Sequence, residues 1–279
     1  MRKIMINEMK PQSLTLIFFI IIFFECKEHS AEKPEIADKT IYKTDTVASE
    51  IKALLKYYPQ VQKFADNKLY FKDGTYILYD DSASNKSFEQ MLVSPDVKDQ
   101  FRYKYVKGKL VNKIEKNNDP GRVTNEAFFK KIYGATREEV RKNLTEVLWC
   151  PKLIGQKILV TKINGVDKQI SKISDELDKL PEYKEFVKDI GGTFNWRYVS
   201  ASKRVSMHSF GMSIDINTNF SNYWQWDCKC TDENAVLDYK NRIPQKIVDV
   251  FEKYGFIWGG KWYHYDTMHF EYRPELLDE

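Results

Sequence analysis

The sequence predicts an α+β protein: a small antiparallel sheet backed by helices, preceded by a mixed helical and hairpin module. Three observations predict it. Short aromatic and β-branched runs are broken by Asp-Gly, Asn-Gly and Gly-Gly turns. Ile170, Ile173, Leu177 and Leu180, and later Ile247, Val248, Phe251 and Tyr254, recur at helical spacing. With 279 residues and 42% hydrophobic content, the chain can build one large core or two small ones. The net charge is only +4, with bases and acids interspersed. That argues against a nucleic-acid surface and allows a weak attraction to an anionic wall polymer.

Taken in order, residues 1–26 read as a signal peptide. Arg2, Lys3 and Lys10 precede the apolar run Ser13–Phe24, which is shorter than the roughly 20 residues a spanning helix needs. Cys26 follows in the place of a lipoprotein cysteine. Whether the signal is of the lipoprotein type, ordinary or an uncleaved anchor, the expectation is export to the periplasm or cell envelope. Contact with a membrane is expected only through this segment or a lipid on Cys26. Residues 27–50 are polar and read as a flexible tether.

Residues 51–148 read as an accessory module. Ile51–Tyr58 is a short helix stopped before Pro59, and Leu69–Asp81 a hairpin around Asp73-Gly74. Phe88–Tyr105 is amphipathic and helical, Asp119-Pro120-Gly121 a turn, and Asn125–Tyr133 and Arg137–Leu148 two helices separated by Gly134. Nothing in this half carries recognisable chemistry; Asp80 and Asp81 offer the oxygens of a calcium site but read rather as solvated acids at a hairpin end.

From Trp149 the character changes, and 149–279 reads as the second domain. Lys157–Ile163 is a strand, Asn164-Gly165 a turn, and Ser171–Leu180 a helix interrupted by Pro181. A second apolar set, Tyr183, Phe186, Val187 and Ile190, stops at Gly191-Gly192. Thr193–Val199 alternates as a strand and offers Arg197 from one face. His208 falls in a loop, and Gly211 lets the backbone turn into a strand over Met212–Asn217. Pro244 opens a helix that Gly255 stops. Phe256–Trp258 and Lys261–Tyr265 read as a hairpin across Gly259-Gly260. In an exported protein, Cys150 is expected to bridge to Cys228 or Cys230, leaving one odd thiol.

The chemistry concentrates in two stretches. The chain has four histidines. His29 lies beside the apolar N-terminal run. His208, His264 and His269 lie near Asp215, Asp266 and Glu271. Imidazole nitrogens and a carboxylate oxygen are the ligand types of a catalytic zinc, which takes three protein ligands and leaves the fourth position open.

Ser206–Asp215, S-M-H-S-F-G-M-S-I-D, resembles the S-x-H-x-x-G-x-x-x-D signature of the zinc D-alanyl-D-alanine peptidases. These include VanY-type carboxypeptidases, VanX-type dipeptidases and phage L-alanyl-D-glutamate endolysins. His264–Glu271, H-Y-D-T-M-H-F-E, resembles their closing acid-x-x-His motif, in the family's order. The resemblance covers roughly Trp149 to the C-terminus and implies a hedgehog/D-Ala-D-Ala peptidase-like fold. It implies Zn2+ on His208, Asp215 and His269, Asp266 as general base and then acid, and Arg197 as the group that stabilises the oxyanion. Ser206 matches the motif serine, either touching substrate or capping a turn. Arg204 either binds a substrate carboxylate or is a solvated loop arginine. His264 faces substrate or stands behind a ligand. Glu271 holds the far nitrogen of His269 or makes a surface salt bridge. Trp224, Trp226, Trp258, Trp262 and Tyr263 wall the cleft or fill the core.

The implied activity is hydrolysis of peptidoglycan stem peptides, foremost removal of a terminal D-alanine. An endopeptidase cutting an L-alanyl-D-glutamate bond or a cross-link is the alternative. A non-catalytic zinc-containing wall-binding or signalling module is a third, disfavoured by the presence of both Asp266 and Arg197.

Overall fold

The computed structural model describes residues 44–110, 113–199 and 202–278. The expected signal peptide, Cys26 and most of the expected tether lie outside them. Helix α1 spans Thr44–Tyr57, so it takes in residues 44–50, which read as tether. Leu54 and Tyr58 are fully buried, and this anchoring extends the helix upstream. Strands β1 (Val61–Ala65), β2 (Lys68–Phe71) and β3 (Tyr76–Leu78) form an antiparallel sheet in that order. The Asp73-Gly74 turn lies between β2 and β3 as expected, with Asp73 accepting from the Thr75 backbone and hydroxyl. Strand β1 was not foreseen.

Helix α2 is only Phe88–Val93, far shorter than the helix expected to Tyr105. Pro95 forces Ser94 out of the helical region and ends the run. Helix α3 (Glu126–Tyr133) is capped by Asn125, whose side chain accepts from Phe128 N at 2.8 Å. Helix α4 is Arg137–Lys142. The rest of the helix expected to Leu148 is instead strand β4 (Leu144–Trp149), paired along its length with β5 (Gln156–Thr161). Its alternation of Leu, Val and Trp fits a half-buried strand better than a helix.

That hairpin straddles the domain boundary expected at Trp149. Residues 42–279 form one compact unit. One core runs from Leu54 through Phe128, Trp149, Ile173 and Phe251 to Tyr272, so 51–148 is not a separate module.

Helix α5 spans Val166–Leu177, beginning earlier and ending sooner than the expected Ser171–Leu180. It buries Ile170, Ile173 and Leu177 of the stripe read from spacing, together with Val166, while Leu180 lies beyond its end and is half-buried. The short helix α6 is Lys184–Val187. Thr193–Val199 is not a strand. It has one isolated bridge, Tyr198 to Val205, and a few backbone bonds to residues 204–208, while Ser209 Oγ takes the Arg197 N that a continuous ladder would use. That hydroxyl accepts from Arg197 N at 3.0 Å and donates to Arg197 O at 2.9 Å.

Strand β6 (Ser213–Asp215), helix α7 (Trp224–Cys228), helix α8 (Gln245–Lys253), and strands β7 (Phe256–Trp258) and β8 (His269–Tyr272) complete the fold. The last sheet has order β6-β8-β7, all antiparallel. The hairpin expected across Gly259-Gly260 does not form. Gly259–Lys261 is a 3-10 turn, and β7 pairs with β8. Strand β8 is buried along its whole length. Phe270 stacks on Phe251 of α8 at 3.9 Å between ring centroids, while His269 and Glu271 face the opposite way. Cys228 bridges Cys230; Cys150 is a free thiol, buried against Ser174 under α5 and out of reach of either. Among the described residues no helix is long and apolar enough to cross a membrane.

Candidate active site

Asp215 on β6 lies directly across from His269 on β8, so the antiparallel register places both side chains on one face. His208 comes from the 3-10 turn Met207–Phe210. Gly211 ends that turn at φ +67°, and a Cβ there would lie 2.7 Å from Leu144 Cδ2 and 3.2 Å from Thr161 N. Glycine therefore seats the turn against the β4–β5 hairpin and sends the chain back into β6.

The three side chains converge. His208 Nε2 is 3.1 Å from both Asp215 Oδ1 and His269 Nδ1, and His269 Nδ1 is 3.0 Å from Asp215 Oδ1. The outer ring nitrogens face acceptors only: His208 Nδ1 donates to Thr193 O at 2.6 Å, and His269 Nε2 to Glu271 Oε2 at 3.1 Å. Those contacts fix the protons on the outer nitrogens and aim the inner ones at the Asp215 oxygen. Three donor atoms so close repel one another unless a cation sits among them. Tetrahedral zinc with bonds near 2.0–2.1 Å separates its ligand atoms by roughly 3.3 Å, so the observed triangle fits this ion.

Without metal, a proton takes that place. Burial pulls the His269 pKa down, but Asp215 and Glu271 outweigh it and raise it to about 10. Burial would push Asp215 up, yet His208 and His269 hold it well below the usual carboxylate range. Burial and then the charge of Asp215 raise Asp266 to about 7. Groups with raised folded pKa values stabilise below their unfolded values, and that contribution fades as pH rises through the folded ones. Metal-free protein should therefore lose stability from Asp266 and His269 between about pH 4 and 10, while zinc, replacing the His269 proton, offsets the loss. Calorimetry is expected to show the zinc-induced gain in Tm growing from pH 6 to 8. A gain that shrinks over this range would contradict the assignment.

Asp266 and His269 belong to one turn, in which His269 N donates to Asp266 O at 3.3 Å. Asp266 Oδ1 is buried with no hydrogen-bond partner among the described residues. It lines a cavity of about 420 Å³ together with His208, Asp215, His269, Arg197 and Arg204. Ser206 and His264 also line it. Both His264 nitrogens are engaged, with Asp119 Oδ2 at 2.6 Å and Glu233 O at 3.0 Å, so it has none free for metal or substrate. Arg197 is exposed and rises from an irregular segment rather than the expected strand. Trp224, Trp226 and Trp262 line the cavity; Trp258 and Tyr263 do not.

Glu271 is buried between His269 and Arg273, accepting from Arg273 Nη1 at 3.2 Å. Glu271→Gln should weaken zinc binding by about 10–100-fold, read by competition with a chromogenic chelator; unchanged affinity would assign Glu271 a packing role alone.

Sequence reasoning missed Arg122, Asp119 and Glu233, a charge cluster of which Arg122 lines the cavity. Asp119 read only as part of a turn, and no local pattern marks contacts made across more than a hundred positions.

Residues 200–272 match the family model described as D-alanyl-D-alanine carboxypeptidase. This is the family whose motifs the sequence resembles, and the match covers this stretch alone. The match contains His208, Asp215, Asp266 and His269 and begins after Arg197. No curated protein and no solved structure matches the chain.

Proposed function

We propose that the chain is an exported zinc peptidase of the cell envelope that removes a terminal D-alanine from peptidoglycan stem peptides. The observation that carries this reading is the convergence of two imidazole nitrogens and a carboxylate oxygen beside a buried carboxylate with a free oxygen, all in one cavity. His208, Asp215 and His269 would hold the ion. When bound, zinc supplies the positive charge that acidifies the attacking water and polarises the scissile carbonyl.

The protein's own groups do the rest. Asp266 takes the proton of the attacking water and passes it to the leaving amine. Burial and the charge of Asp215 raise its pKa to about 7 in the metal-free site, and the bound cation would lower it, so that it stands ionised as a base at neutral pH. Arg197 offsets negative charge as the carbonyl becomes tetrahedral. Ser206 contacts the peptide from the cavity wall, and Arg204 takes the substrate's carboxylate. Thr193 O and Glu271 hold the two imidazoles in the orientation required.

Incubating zinc-loaded protein with purified muropeptides and weighing the products tests the reading. Loss of one alanine mass is expected. Release of whole stem peptides or opened cross-links would replace it with the endopeptidase, and unchanged muropeptides would favour a binding module.

A further inference from the structure

The stretch from Asn118 to Arg122 lies far outside the matched family segment, yet each of its residues bonds to the half of the chain that carries the site. Asn118 O accepts from Tyr263 N at 3.0 Å. Asp119 Oδ1 accepts from His264 N at 2.9 Å, and its Oδ2 meets the His264 ring. Pro120 O accepts from Trp262 Nε1, and Gly121 O from Arg273 Nη1 at 3.3 Å. Gly121 has φ +107°, and a Cβ there would lie 2.3 Å from Ile257 Cδ1 and 3.1 Å from Glu271 Oε1. Only glycine lets the backbone approach the carboxylate that braces His269 so closely.

Arg122 closes the segment. Its guanidinium donates to Asp119 at 2.8 Å and to both oxygens of Glu233 at 2.9 and 3.0 Å. Two carboxylates thus neutralise it and fix its backbone. Its carbonyl accepts from Arg204 Nη1 at 3.1 Å. Arg204 is different: half-buried beside a second guanidinium, it pairs with no carboxylate among the described residues. Burial, and then the charge of Arg122, lower its pKa to about 10. Glu233 and Asp119 offset its charge only from a distance. A cation in such a place without a carboxylate in hydrogen-bond contact is costly unless a ligand supplies the anion. Among the described residues its only side-chain bond is the one to Arg122 O, which leaves donors for a bidentate partner.

We propose that residues 118–122 complete the substrate site, holding Arg204 for the free terminal carboxylate of the substrate, with Arg122 as the positioning residue. This rests on the peptidase reading and deepens it. It gives the first half of the chain a task in choosing the bond, because Arg204 lines the same cavity as the metal-binding triad, and an acid fixed there would favour cleavage of the last peptide bond over an internal one.

The test compares three stem peptides: one with a free terminal acid, one with that acid amidated, and one keeping the acid but amidated at its internal glutamyl carboxylate. Wild type should prefer the free terminal acid over its amide by about a hundredfold in kcat/KM, as expected for a desolvated charge pair. Arg204→Gln should bring that preference close to one. Glu233→Gln, which frees Arg122 at a half-buried position with little change of shape, should cut the preference about tenfold through KM. Zinc content should stay as in wild type, and the loss should fall on the free acid far more than on the amide. Variants that slow acid and amide alike would overturn the proposal. So would a wild type indifferent to the terminal acid, or one whose preference follows the glutamyl carboxylate. A wild type that cleaves none of the three removes the peptidase reading itself.

Discussion

Asp266→Asn should retain zinc at wild-type stoichiometry and lower kcat by about a hundredfold to ten-thousandfold, the range of a lost general base. The side chain is not one of the three converging donors, so metal retention is expected. Its Oδ1 is buried and bonded to nothing among the described residues. Such a group costs stability unless it has work to do at some stage of the cycle. Asn keeps the shape and removes the basicity, which separates chemistry from packing. Because burial raises the carboxyl pKa to about 7 in the metal-free protein, and a nearby cation lowers it, the acidic limb of the wild-type pH–rate profile should fall at or below pH 7. The same limb should vanish from the residual activity of the variant. Activity within a factor of two of wild type would mean that another group accepts the proton.

His208→Ala should cost more in metal affinity than the roughly hundredfold lost when an outer partner is changed, and activity should fall to background. One of three donors disappears, and Thr193 O loses the N–H that it accepts at 2.6 Å. Free imidazole offers a specific control: it should restore part of the metal binding by filling the hole. Zinc retained at wild-type affinity would remove His208 from the centre.

The convergence of His208, Asp215 and His269 in one cavity with Asp266 was legible because each motif is local. His208 and Asp215 stand seven positions apart and Asp266 and His269 three, and the chemistry of the side chains narrows their use. Helices with clean periodicity, α5 and α8, were legible for the same reason. The errors fall where a distant partner decides the structure. Leu144–Trp149 became a strand because β5 lies beside it. Lys261–Tyr265 lost its hairpin because β8 is the better partner of β7. Thr193–Val199 pairs only in part with residues 204–208, with Arg197 N taken by the Ser209 hydroxyl. The Asp119–Arg122 wall was invisible because its partners, His264, Glu233 and Arg204, come from the other half of the chain.

The account stands on a divalent ion shared by three side chains, and locating that ion tests it most directly. Crystals of zinc-loaded protein, measured on either side of the zinc absorption edge, should show one strong anomalous peak bonded to His208 Nε2, Asp215 Oδ1 and His269 Nδ1, absent from crystals of His208→Ala. No peak at that triangle, or zinc held by other residues, would contradict the assignment of the centre and of the hydrolysis built on it.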